Sequence, residues 1–155
     1  MQLTTGINHV AVLTTDLDRL KAFYEHAIGA NTLFDLEDRG VRHAMIMLGD
    51  ASGVHAFQVD AGIAPPGWKP MFARGRLDHL AITARDGQAF DELRRRAMAT
   101  GADAELVDYG PILAFNVRDP DGGEVEICVF KPGVDLTTPP PDRQAAADRI
   151  GAQPA

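Results

Sequence analysis

The chain has 155 residues, 45% of them apolar and 24% charged, with a formal net charge of −7. This is the composition of a globular domain, and its acidity excludes the basic footprint that nucleic acid or an anionic membrane surface requires. No run approaches the roughly 18 apolar residues of a membrane helix. MQLTTGINHV lacks a basic signal-peptide start, and Cys128 stands alone, so a disulfide-free protein of the reducing cytoplasm is expected.

In chain order, the first element is a strand with Ile7, His9, Ala11 and Leu13 on one face. A helix over about 17–28 follows. Asp16 is placed to accept its first free N–H groups, Leu17, Leu20, Phe23, Tyr24 and Ile28 form an apolar stripe, and Gly29 suits a left-handed end. Three strands come next, at about 32–38, 41–48 and 53–60. Residues 61–76, AGIAPPGWKPMFARGR, hold three prolines and three glycines and read as a linker.

The same order then repeats. A strand with Leu77, His79, Ala81 and Thr83 on one face leads into a helix over about 87–100 with Phe90, Leu93, Ala97 and Met98. Strands follow at about 103–109, 112–117 and 123–131, the last two joined by the turn signal DPDG. Residues 132–155, with PPP at 139–141, read as a tail. His9 to His79 and Asp16 to Asp86 are each offset by 70, and VHAFQV at 54–59 maps onto VEICVF at 125–130 at an offset of 71. The division is therefore a first module at 1–60, a linker at 61–76, a second module at 77–131 and a tail at 132–155. Each module is a strand–helix–strand–strand–strand unit, and the fold class is α+β.

Alternation puts His55, Phe57 and Val59 on one face of the first module's last strand, and Glu126, Cys128 and Phe130 on the equivalent face of the second. One sheet face must pack on its helix. The other is left as an apolar surface from which His9, His55, His79 and Glu126 project. His9 is the repeat mate of His79, and His55 of Glu126. Imidazoles and a carboxylate are the ligands of Zn, Ni, Co, Mn or Fe, and a buried polar group needs such a partner. His43 lacks a polar mate and reads as structural, and His26 suits a helix end. Cys128 reads as core filler. Glu124, two residues from Glu126 and nearer the turn, is expected in solvent. Phe57, Phe115, Phe130 and Trp68 are candidates to shape an apolar pocket, core packing being the expected role of the phenylalanines.

NHVAV, DLDRLKAFYEHAIG, LDHLAIT and RDPDGGEVEI together resemble the vicinal oxygen chelate superfamily, the glyoxalase, bleomycin-resistance and extradiol-dioxygenase group. The resemblance spans about residues 6–131. It implies two tandem βαβββ modules forming a cupped mixed sheet around one central site. It also implies one divalent metal held by His9, His55, His79 and Glu126. The expected function is a metal-dependent enzyme of glyoxalase, isomerase or lyase type, acting on a small oxygen-rich metabolite through a metal-stabilised enolate or oxyanion, with Glu126 as base. Alternatives are an Fe(II) extradiol-type dioxygenase, which His9, His79 and Glu126 would serve, and a non-enzymatic small-molecule-binding or resistance protein. Pairing of modules within or between chains is common in the group, so a homodimer is expected, with neither nucleic acid nor membrane as partner.

Overall fold

The computed structural model describes residues 3, 6–63, 67–70, 73–74 and 76–134. The expected tail from 135 onward, and parts of the expected linker, lie outside them. The first half contains strand β1 (His9–Thr14), helix α1 (Leu17–Phe23) continued by a π-helical turn (Tyr24–Ile28), and strands β2 (Asn31–Asp38), β3 (Val41–Met47) and β4 (Gly53–Gln58). The second contains β5 (Leu80–Thr83), α2 (Gly87–Ala99), β6 (Val107–Asp108), β7 (Ile112–Arg118) and β8 (Glu124–Phe130). The sheets are ordered β1-β4-β3-β2 and β5-β8-β7-β6. In each, the first and last strands pair parallel and the rest antiparallel. This is the βαβββ arrangement twice, forming a cupped sheet.

Local chemistry explains the helix boundaries. Asp16 Oδ1 accepts the Arg19 N–H at 3.0 Å and Asp86 Oδ1 the Ala89 N–H at 2.8 Å, so equivalent carboxylates start both helices. Gly29 ends the first at φ 74°. Its last turn widens to π geometry, a departure from the single α-helix expected over 17–28. That turn keeps Tyr24 and Ala27 in the core, at 2% and 1% exposure.

Both helices cover the same side of the molecule, and they share one core. Leu17, Leu20 and Tyr24 from the first half pack in one cluster with Phe90, Ala97, Phe115 and Ile127 from the second. Burying each of the larger side chains contributes about 1.5–3 kcal/mol. Strand alternation divides the sheet faces cleanly. Ala44, Ile46, Val54 and Ala56 turn toward the helices, as do Phe115, Val117, Val125 and Ile127. Phe115 therefore stands in the core beside Phe90, at 5.2 Å between ring centres, the packing role expected of it.

Two features tie the halves together at the β7–β8 turn. Arg19 Nη2 of α1 pairs with Asp121 Oδ1 at 2.9 Å. Residues 67 and 68 press against Gly122, whose φ is 87°; a Cβ there would come within 2.7 Å of the Gly67 carbonyl carbon. Asp119 Oδ1 accepts the N–H groups of Asp121 and Gly123, at 2.9 and 2.7 Å, and shapes the turn.

Strand β6 is much shorter than the expected 103–109. The backbone before it is committed elsewhere: Ala102 N–H donates to Ala97 O, and Ala104 O accepts Arg94 Nε–H at 2.9 Å. Only Val107 and Asp108 remain to pair with β7.

Candidate metal centre

The register of the parallel pairs places the four candidate residues. In the first sheet Ala11 lies beside His55, which puts His9 two residues back on the same face. In the second, Ala81 lies beside Glu126, with His79 likewise two residues back. The two halves thus present a diagonal pair each, in the same stagger, on the side away from the helices. The His9 and His55 ring centres are 5.5 Å apart, and His79 Nε2 lies 3.3 Å from Glu126 Oε2.

Each strand-leading histidine is oriented by the residue before it. His9 Nδ1 meets Asn8 Oδ1 at 2.7 Å, and His79 Nδ1 meets Asp78 Oδ1 at 3.1 Å. A ring whose Nδ1–H is given to an oxygen presents Nε2 with its lone pair free, which is how ligating imidazoles are normally held. The repeated Asn8–His9 and Asp78–His79 dipeptides carried this signal in the sequence.

The chemistry of these donors suits a divalent ion, but their placement is two pairs. Among the described residues, no group of three or more His, Cys, Asp or Glu side chains is close enough to hold a metal.

His55 differs from its mate Glu126 in its surroundings. Its Nε2 lies 2.8 Å from His43 Nδ1, so the two rings share one proton between them. Phe57 lies 4.2 Å from the His55 ring and stacks on His43 at 5.4 Å with an interplanar angle of 10°; Phe34 meets His43 and His55 edge-on. Burial first, and then the neighbouring His43 and His9, lower the pKa of His55 and favour its neutral form. His43, structural by its sequence, lies opposite Phe57 in the β3–β4 register, on the face that carries His55.

Glu124 corrects another expectation. Its side chain is 11% exposed, and its Oε2 accepts Arg74 Nη2 at 2.6 Å; Arg74, 9% exposed, also donates to Lys69 O and Asp78. Glu124 is the anchor of an ion pair rather than a solvated bystander. Cys128 is buried, and desolvation with the nearby Glu126 raises its thiol to about 11, consistent with packing rather than nucleophilic duty. Trp68 is exposed, with the Arg118 guanidinium carbon 4.0 Å from the centre of its ring.

The chain belongs to the Glyoxalase/Bleomycin resistance protein/Dioxygenase superfamily, whose family model matches residues 6–127. No curated protein matches it. Solved structures share the fold. A glyoxylase/bleomycin resistance protein/dioxygenase domain from Frankia sp. EAN1pec is 21% identical, with a TM-score of 0.69 over 84% of this chain and 96% of its own. A lactoylglutathione lyase from Agrobacterium tumefaciens is 20% identical, with a TM-score of 0.59 over 83% of this chain and 96% of its own. A mutant of the fosfomycin resistance protein FosX from Listeria monocytogenes, complexed with Mn(II) and 1S,2S-dihydroxypropylphosphonic acid, is 15% identical, with a TM-score of 0.57 over 81% of this chain and 92% of its own. Among the described residues, no helix is long and apolar enough to cross a membrane.

Proposed function

We propose that this chain is a metal-dependent enzyme of the glyoxalase type, acting on a small oxygen-rich metabolite, with His9, His55, His79 and Glu126 as the ligands of one divalent ion. The observation that carries the reading is the matched stagger of the two pairs, each with Nδ1 of its leading histidine within hydrogen-bond distance of an oxygen of the preceding residue. The FosX complex with Mn(II) supports a divalent ion in this fold. When bound, such an ion supplies Lewis-acid stabilisation of a developing oxyanion. Among the four, Glu126 is the carboxylate and the proton acceptor, and His79 Nε2 lies 3.3 Å from its Oε2.

A second reading, a small-molecule-binding protein without catalysis, is favoured by the separation of the donors into pairs and by the aromatic wall of Phe34 and Phe57 around His55.

Melting metal-stripped protein with Mn, Ni, Co or Zn tests the first. A ligand at a hundred times its Kd adds about 2.7 kcal/mol of stability, so the melting temperature should rise with at least one ion. His79→Ala should abolish the rise. Glu126→Gln should weaken it and lower turnover of any substrate found by about 100-fold. Four unchanged melting curves would remove the metal from the account and leave the binding protein.

A further inference from the structure

The two halves match in their histidine stagger but not at their outer strands. In the first half, β2 pairs along β3 from Asn31 opposite Met47 to Asp38 opposite Val41. In the second, β6 supplies only two residues, so among the described residues the outer edge of β7, opposite β8, has no strand beside it from Phe115 to Arg118. A cavity of about 640 Å³ opens there, lined by Asn116, Arg118, Glu124 and the 100–103 turn after α2.

The side chains at this opening are unlike the rest of the open face. Strands β1 to β8 contain two lysine or arginine residues, Arg42 and Arg118. Arg42 is on the helix side and is spent on Asp18 and Asp35. Arg118 alternates with the core residues Phe115 and Val117, which puts it on the face of Asn116 and Glu126. Its strand partner Glu124 is already paired to Arg74, and among the described residues Arg118 has no carboxylate partner. Its guanidinium carbon lies 4.0 Å from the centre of the Trp68 ring. A guanidinium held over an indole ring can still offer its N–H groups to a planar anion. Asn116, one step along the same face, adjoins Glu126 in register.

We propose that Arg118, with Asn116 beside it, forms an anion-binding subsite in the gap along β7, holding the carboxylate of a monoanionic substrate while its oxygen-bearing carbons reach toward Glu126. The inference deepens the proposed function and rests on that reading for the direction of the substrate. The ligand is a monoanion because the lining also contains Asp103, and the chain as a whole carries −7; a polyphosphate would meet repulsion that one guanidinium does not offset. The apolar, imidazole-rich surface of the first half then receives the uncharged part of the same molecule.

Trp68 is the single tryptophan of the chain, so its emission reports on the subsite directly. Metal-free protein at low, constant ionic strength is titrated with 2-hydroxybutyrate, with the neutral 2-hydroxybutyramide and with pyrophosphate. The acid should change the emission saturably, and the amide and pyrophosphate should bind at least 10-fold more weakly. Arg118→Gln should cost the acid 10-fold or more, and Arg118→Lys should recover part of it, each variant being read against its own end points. Equal binding of acid and amide, undiminished binding to Arg118→Gln, or no saturable response overturns the proposal. Melting the same proteins with metal separates the two readings. A metal response equal in wild type and Arg118→Gln, together with no selective acid binding, sinks the subsite alone. Selective acid binding with no metal response sinks the metal centre alone.

Discussion

Glu124 and Glu126 share one face of β8, yet their surroundings separate them. Glu126 meets His79 at the centre of the open sheet, whereas Glu124 is locked to a nearly buried arginine from the segment joining the halves. Removing one member of such a pair leaves the other charged and under-solvated. Glu124→Gln should therefore destabilise the fold by about 1–3 kcal/mol. With Arg74→Gln it should show a coupling of about 1 kcal/mol or more in a double-mutant cycle of urea unfolding. A cycle that sums without coupling would mean the pair contributes nothing. Sequence alternation placed both carboxylates correctly on one face. It could not show that residue 74, fifty positions away, returns to cover one of them.

At the scale of elements, the β7–β8 turn is the joint between halves. α1 reaches it through Arg19, the 67–68 segment lies on Gly122, and the carboxyl of Asp119 organises its backbone. Burial raises the pKa of Asp119 to about 6 against its own backbone hydrogen bonds, with the nearby Asp121 adding to the rise. The folded state then holds this proton more tightly than the unfolded chain does. Its contribution to stability is full below about pH 4 and is lost as pH rises through about 6. Asp119→Asn keeps an oxygen for the two N–H groups and has no charge to bury. It should match the wild type near pH 4 and exceed it by about 1–3 kcal/mol at pH 7. Chemical unfolding across that range checks this, and a difference that does not grow with pH would refute it. Comparing the two proteins cancels Asp18, Asp35 and Glu92, whose lowered pKa values give pH slopes of the opposite sign.

For the whole molecule, one side of the cupped sheet is covered by two helices and the other lies open. Ile7, Leu13, Leu77 and Phe130 remain exposed, at 72%, 41%, 56% and 43%. Apolar groups on an open sheet favour association. A homodimer is the expected state, and light scattering at micromolar concentration should return twice the chain mass of 16.7 kDa. A mass of one chain would overturn that expectation.

Much of this was determined by the sequence alone, because it depends on local periodicity. A period of two assigned sheet faces, Asp16 and Asp86 marked helix starts, and an offset near 70 revealed two equivalent halves, so His9, His55, His79 and Glu126 could be placed on one kind of surface. Tertiary structure decided what spacing along the chain does not encode. Strand register brought His43 to His55, the returning segment buried Glu124 and stacked Trp68 on Arg118, and the helix end drew away the backbone that would have lengthened β6. Each of these depends on which distant groups compete for the same hydrogen bond or the same apolar surface, and that competition exists only once the chain is folded.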